Sequence, residues 1–239
     1  MTDYESSRWR DRAFADGYTD YADSMIQERR KLIGLMLSFY AHYMGGRARV
    51  DALDLGCGDG TLTLELVKCF DNINPTLLDG SEDMLEKSRA RLAGVKDASY
   101  ITASFQDILK GKCKLPEYDF IFSSLAIHHL DTAEKAGIFD IAHNRLRDGG
   151  SFLNIDVVLP PSDALEGWYL AFWKDWIDGR KKEFDLNFDG SEIITRYKGN
   201  DDNKPDTLDS QLSALKAAGF NDVDCYYKHG IFVVYGGSK

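Results

Sequence analysis

Asp54, Gly56, Gly58 and Gly60 stand at alternate positions within residues 50–63, VDALDLGCGDGTLT. A nearly unbroken apolar run leads into them, as in a buried strand, and a helical pattern follows. Glycines so spaced let the backbone turn tightly and come close to a ligand where any side chain would block it. The helix after the turn offers unpaired N–H groups and the positive end of its dipole. The expected occupant is a small molecule that is oxygen-rich or negatively charged. Asp79 ends the next apolar run, at the spacing where a βαβ unit sets its second strand tip beside the first. A carboxylate there can accept two hydrogen bonds from a ribose diol, although Asp79 could instead cap the turn Gly80-Ser81. Met84, one turn into the following helix, is placed to touch the ribose or adenine edge.

Two neighbouring motifs fail. A dinucleotide fingerprint G-x-G-x-x-G needs its third glycine where Thr61 stands, and no Gly-Lys-Ser/Thr tripeptide occurs for a P-loop. The pattern present, D-x-G-x-G-x-G, resembles motif I of the class I S-adenosylmethionine-dependent methyltransferases. The resemblance implies that the turn, Cys57 included, lies on the cofactor S-adenosylmethionine. It extends to later blocks. Ser104-Phe105-Gln106-Asp107 occupies the segment that flanks adenine in that family, with Phe105 offering a flat face and Ser104 or Gln106 bonding the exocyclic amine. The common family version has Gly-Asp where Ala103-Ser104 stands, and Asp107 could equally cap a short helix. Residues 118–130, ending His-His-Leu, resemble motif IV, with Ser123 and Ser124 beside the cofactor. LRDGGSFLNID resembles the block before the fifth strand. In that family a tyrosine ahead of the first strand often closes over the cofactor; Tyr18 and Tyr21 are the candidates, Tyr21 also as a wall of the substrate pocket.

Positioning these residues requires strand tips that converge. Strand and helix patterns alternate through residue 159, which argues for a parallel sheet with crossovers and ligands outside the C-terminal strand ends. The expected fold is α/β: a Rossmann-like, seven-stranded, mostly parallel sheet with helices on both faces. As in the family resembled, it ends in a C-terminal hairpin with one antiparallel strand. Residues 1–46 form an N-terminal helical cap whose helix spans about 20–44. Residues 47–239 form the methyltransferase domain, interrupted by a helical lid at about 160–205. Within the lid, Leu165, Trp168, Tyr169, Phe172 and Trp176 recur at helical spacing. Such a stripe can be core, or it can wall the substrate pocket with Arg196 nearby and select an apolar acceptor.

Catalytic groups are less readable. Of the adjacent His128 and His129, either can point into the substrate cavity, and His128 is the candidate general base. Neighbouring histidines cannot chelate one metal as i,i+4 histidines on a helix could, and no metal is expected. No Ser–His–Asp order or H-E-x-x-H supports hydrolysis. The cofactor's methyl is already activated, so the protein mainly positions the nucleophile, and a base is needed only for a protonated acceptor.

The 239 residues, 44% hydrophobic, suffice for one good core. A net charge of −10 gives no general attraction for nucleic acid or anionic membrane. The N-terminal stretch lacks the apolar core of a signal peptide, no apolar run is long enough to span a membrane, and four scattered cysteines suggest a cytoplasmic protein. The favoured activity is methyl transfer to a small-molecule acceptor. An RNA-modifying methyltransferase of the same fold, or a non-catalytic cofactor-binding protein, stays open; the acceptor atom and oligomeric state are not specified.

Overall fold

The apolar run before the glycines forms the strand β1 (Val50–Leu55), and its alternation explains the whole architecture. Val50 and Ala52 join the core on one face of the sheet, whereas Leu53 and Leu55 join the core on the other. A strand apolar on both sides must be covered on both sides, as parallel sheets are. The computed structural model describes residues 22–181, 183, 185 and 188–239. Tyr18 and Tyr21 lie outside the described residues.

β1 pairs in parallel with β2 (Ile73–Asp79) and with β4 (Tyr118–Ser124). β3 (Ser99–Thr102) adds to β2, and β5 (Leu146–Val157) adds to β4, both parallel. The last two strands, β6 (Asn221–His229) and β7 (Phe232–Ser238), form a hairpin, and β7 inserts antiparallel beside β5. The order is β3-β2-β1-β4-β5-β7-β6. This is the Rossmann-like arrangement expected, with its antiparallel C-terminal pair.

On one face lie α1 (Ala22–Met25), α2 (Arg29–Tyr43), α3 (Thr61–Cys69), α7 (Asp163–Arg180) and α8 (Gly190–Lys198). Their Leu32, Met36, Tyr40, Leu66, Trp173 and Ile177 pack on Phe120, Phe122 and Leu153. α4 (Glu82–Arg91) covers Leu77 of β2 with Leu85. The other face carries α5 (Phe105–Leu109), α6 (Thr132–Arg145) and α9 (Leu208–Ala217), through Ile108, Ile138, Phe139, Ala142 and Leu215. Side-chain caps set several helix starts: Ser81 for α4, Asp131 with Glu134 for α6, and Thr207 for α9.

The structure differs from expectation in two elements. The single helix over 20–44 is broken: Glu28 takes a left-handed conformation, φ 56°, between α1 and α2. The break lets Asp23 of α1 meet Arg29 and Arg30 of α2, and no Gly or Pro announces it in the sequence. β5 begins at Leu146, inside the block expected to precede the fifth strand, and Arg147 there is held by Asp51 at 2.9 Å and Asp119 at 2.7 Å. Those two carboxylates, with Arg47 on Asp119 at 3.0 Å, brace β1, β4 and β5 at the sheet end away from the glycine turn.

Candidate functional site

The glycine turn leaves β1 at its C-terminal tip and is tied to the tip of β2. Gly56 N and Cys57 N both donate to Leu78 O, at 2.8 and 2.9 Å. Gly58 N donates to Asp79 Oδ2 at 2.9 Å, and Ser81 N to Asp79 Oδ1 at 2.8 Å. The three glycines answer to different constraints. Gly56, φ 75°, has no room for a Cβ, which would fall 2.6 Å from Ala126 Cβ. Gly60, φ 76°, packs against α4, where a Cβ would meet Ser88 Oγ at 2.7 Å. Gly58, φ 53°, faces open space, with nothing within 4 Å of a built Cβ. Packing therefore explains Gly56 and Gly60, while Gly58 keeps a backbone surface bare at a cavity wall.

That cavity, of about 170 Å³, lies at the C-terminal tips of β1, β2, β3 and β4. Asp54, Gly56, Cys57, Gly58, Asp79, Gly80, Met84, Ser104, Phe105, Gln106, Ser124 and His129 all line it. A second void of about 10 Å³, enclosed mainly by Leu53, Leu115, Ile121 and Ile138, is apolar and no larger than one water needs. Loop segments that no single motif connects thus meet at one place.

The cavity floor is acidic. Asp54 is 2% exposed and accepts a 2.6 Å hydrogen bond from Thr63 Oγ1. Burial pushes its carboxyl up to about 7; the Thr63 bond opposes this, and the charges of Asp79 and Asp59 add to it. Burial also raises Asp79, against backbone hydrogen bonds from Ser81 and Gly58. Asp59 is held by Arg91 at 2.5 Å. A buried carboxylate, Asp54, and a half-buried one, Asp79, both of raised pKa, gain from a cation placed between them and solvent. S-adenosylmethionine, with an ammonium and a sulfonium, fits that donor set, and the bare Gly58 backbone leaves room for it.

Several expected residues are placed elsewhere. Gly60 does not line the cavity, for the packing reason above. Ser123 is fully buried and turns to the β1 side, donating to Leu55 O at 2.6 Å; Ser124, next along the strand, lines the cavity instead. Ser104 reaches the cavity, but its hydroxyl is engaged in a capping box with Asp107 that starts α5. Gln106 lines the cavity, with Nε2 directed to Glu134 Oε1 at 3.4 Å.

The lid aromatics are also relocated. Trp168, Phe172, Trp176 and Arg196 do not line the cavity. α7 buries the Trp173–Ile177 edge, where Trp173 Nε1 donates to Met25 O at 2.7 Å and its ring meets Phe232 edge-on. That rotation leaves Trp168 61% exposed and stacks it toward Phe172. Arg196 is exposed and faces Glu192 on its own helix. Among the described residues, the region between β5 and α9 meets the cavity through Asp202.

The histidine pair divides. His128 points away from the cavity, with Nδ1 2.6 Å from Asp156 Oδ1 and its backbone N–H bonded to Asp156 Oδ2. It is therefore not placed as the base. His129 lines the cavity, and its Nδ1 donates to the Asp202 carbonyl at 3.1 Å, which puts the unprotonated nitrogen at Nε2. Burial lowers His129 well below 6.5, and the neighbouring His128 adds to this, so it is neutral near pH 7. Lys204 N donates to His128 O, and Lys135 holds Asp206 at 2.9 Å, pinning the segment that presents Asp202.

Sequence reasoning missed Arg29, Asp59, Thr61, Leu62, Leu125, Ala126 and Asp202 among the lining residues. Asp59 and Thr61 sat inside the glycine motif; Asp202 carried no local signal. Among the described residues, none of the helices is long and apolar enough to cross a membrane.

Residues 52–150 match a family model described as a methyltransferase domain. A carboxy-S-adenosyl-L-methionine synthase of Nautilia profundicola is 20% identical over 94% of this chain and 92% of its own length. A malonyl-[acyl-carrier protein] O-methyltransferase of Ilyobacter polytropus is 28% identical over 42% of this chain and 37% of its own. Among solved structures, an O-methyltransferase family protein from Burkholderia thailandensis superposes with a TM-score of 0.67 at 13% identity. That match covers 98% of this chain but only 62% of the solved one, and it speaks for the fold.

Proposed function

We propose that this chain, which carries a methyltransferase domain on the class I fold, is an S-adenosylmethionine-dependent methyltransferase and that it methylates a small molecule bound in the same cavity. The observation that carries this reading is the cavity itself, open to solvent on one side, whose floor is acidic and whose far wall holds His129, Leu130 and Asp202. Bound S-adenosylmethionine supplies a methyl group already activated by its sulfonium.

The chain's own residues have the remaining tasks. Asp79 keeps carboxylate lone pairs beyond those taken by Gly58 and Ser81, and these accept from the ribose diol. Phe105 and Met84 give the adenosine its apolar faces, and Gln106 Oε1 accepts from the exocyclic amine. Ser104 contributes through its backbone position. Asp54 faces the cationic tail, with Ser124 and the Gly56–Gly58 backbone around it. Apolar Ile26, Leu125 and Leu130 exclude water from the acceptor side. His129, neutral and with its basic nitrogen at Nε2, takes the proton of a hydroxyl or ammonium acceptor. On this reading residues 22–46 and the segment between β5 and α9 form the wall over a cofactor-binding domain.

A second reading is favoured by the near-complete alignment with the carboxy-S-adenosyl-L-methionine synthase. Its named product retains the sulfonium, so it releases no S-adenosylhomocysteine. The test is mass spectrometry of the purified enzyme incubated with S-adenosylmethionine and a panel of phenols, amines and carboxylic acids. Methylated acceptor with equimolar S-adenosylhomocysteine is expected. A carboxylated cofactor without S-adenosylhomocysteine would replace methyl transfer with the second reading.

A further inference from the structure

The amino-acid tail of S-adenosylmethionine carries a carboxylate as well as an ammonium, and the acidic floor suits only the ammonium. Among the described residues lining the cavity, Arg29 is the one lysine or arginine. Its side chain is 15% exposed and stands at the first position of α2, directly after the left-handed Glu28. The local electrostatics there break the usual rule for a helix start. Arg29, Arg30 and Lys31 fill the first turn without an acid among them, and the N-cap residue, Glu28, makes no side-chain capping bond. Cations at the positive end of a helix dipole raise one another's energy, and an anion relieves this.

One anion is already present. Asp23 of α1 pairs through Oδ1 with Arg29 and through Oδ2 with Arg30. Two guanidinium groups thus share one carboxylate, so neither has an acid partner to itself in this contact. The sharing also makes exchange cheap. If Arg29 turns to a ligand carboxylate, Asp23 keeps Arg30, so neither the carboxylate nor the guanidinium is stranded. Arg30 is 69% exposed and can follow Asp23 without crossing the cavity.

We propose that Arg29 is the carboxylate-binding residue of this cavity, trading Asp23 for a ligand carboxylate while Arg30 retains Asp23. The proposal rests on the cofactor reading above. The carboxylate belongs to the cofactor's amino-acid tail or to the acceptor, and the same chemistry serves both.

Calorimetric titration separates them. S-adenosylhomocysteine has the tail, and 5′-methylthioadenosine shares the adenosine and thioether without it. Arg29→Gln is expected to weaken S-adenosylhomocysteine by about tenfold or more, the scale of a lost charged hydrogen bond, and to leave 5′-methylthioadenosine unchanged. Arg29→Lys should recover part of the loss. Asp23→Asn removes the competitor and should tighten S-adenosylhomocysteine, an effect that vanishes in the double variant. That gain of affinity cannot come from misfolding. If Arg29→Gln moves neither ligand, protein saturated with S-adenosylhomocysteine is titrated with benzoate and malonate against their amides. Selectivity for the acids, lost in Arg29→Gln, assigns the carboxylate to the acceptor. Wild-type and Arg29→Gln proteins that agree in every titration overturn the proposal. Wild-type protein that binds neither nucleoside sinks the cofactor reading itself, and this proposal with it.

Discussion

Asp54→Asn should make the protein more stable in mild alkali and worse at binding its cofactor. The cause is the carboxyl's position, 2% exposed and close to Asp79 and Asp59. Its pKa rises from 3.8 to about 7 on folding. Between those values the folded chain holds a proton that the unfolded chain has released. Stability from this group is therefore complete below 3.8 and is lost as pH rises through about 7. At roughly 1.4 kcal/mol per pH unit the full loss is about 4 kcal/mol. Asparagine cannot ionise, and its oxygen can still accept from Thr63, a bond whose effect is already within the value of about 7. Asp54→Asn should thus gain about 4 kcal/mol at about pH 8 and only about 2 kcal/mol at about pH 5, which stands little more than about one pH unit above the unfolded acid's pKa. Urea unfolding of both proteins at the two pH values reads this double difference, in which the other titrating groups cancel. A variant whose stability differs from wild type by the same amount at both pH values would show that Asp54 does not hold a proton in the folded chain. The same acid should lose its proton when the cationic cofactor binds, so S-adenosylmethionine uptake near neutral pH should release protons. Calorimetry in two buffers of different ionisation enthalpy counts them, and no buffer dependence would contradict the assignment.

Other outcomes follow from the same geometry. Asp79→Ala should weaken S-adenosylhomocysteine by about 1.5–3 kcal/mol, as for a hydrogen bond to a charged group, and an unchanged dissociation constant would refute the ribose role. Gly58→Ala should cost only about 1–2 kcal/mol of stability, for its left-handed backbone, yet abolish measurable nucleoside binding because the methyl enters open cavity. Gly56→Ala, whose Cβ meets Ala126 at 2.6 Å, should lower the melting temperature well beyond Gly58→Ala. His129→Asn should cut turnover of a hydroxyl acceptor and flatten its pH profile while cofactor affinity stays, whereas His128→Asn should chiefly reduce thermal stability by breaking the 2.6 Å contact with Asp156; the reverse pattern would return the base role to His128.

How far the sequence reaches depends on whether a residue acts through its backbone or through its facing. The glycine turn and Asp79 could be read because glycine spacing and a strand-ending acid are local, backbone-level signals. Ser81, Asp131 and Thr207 likewise declare their helix starts. Facing is harder. Ser123 and Ser124 are chemically identical neighbours, and only the pleat decides which meets the ligand. The aromatics of α7 spread over a sector of roughly 140° at 3.6 residues per turn, so periodicity alone does not tell the buried Trp173 at one edge from the exposed Trp168 at the other. His128, in the turn after β4, is held by Asp156, a partner on β5 that is distant in sequence. Arg29 did leave a trace: three cations filling the first turn of a helix with no side-chain cap is a local contradiction, and such contradictions mark sites.

The wall over the cavity comes from the two ends of the chain's order, residues 22–29 before the first strand and Asp202 after the fifth, whereas the floor comes from the strand tips between them. Drift in the outer segments can thus reshape what is admitted while inheritance of the nucleoside seat continues untouched. Homologues with this seat should diverge in chemistry fastest where their alignments break off.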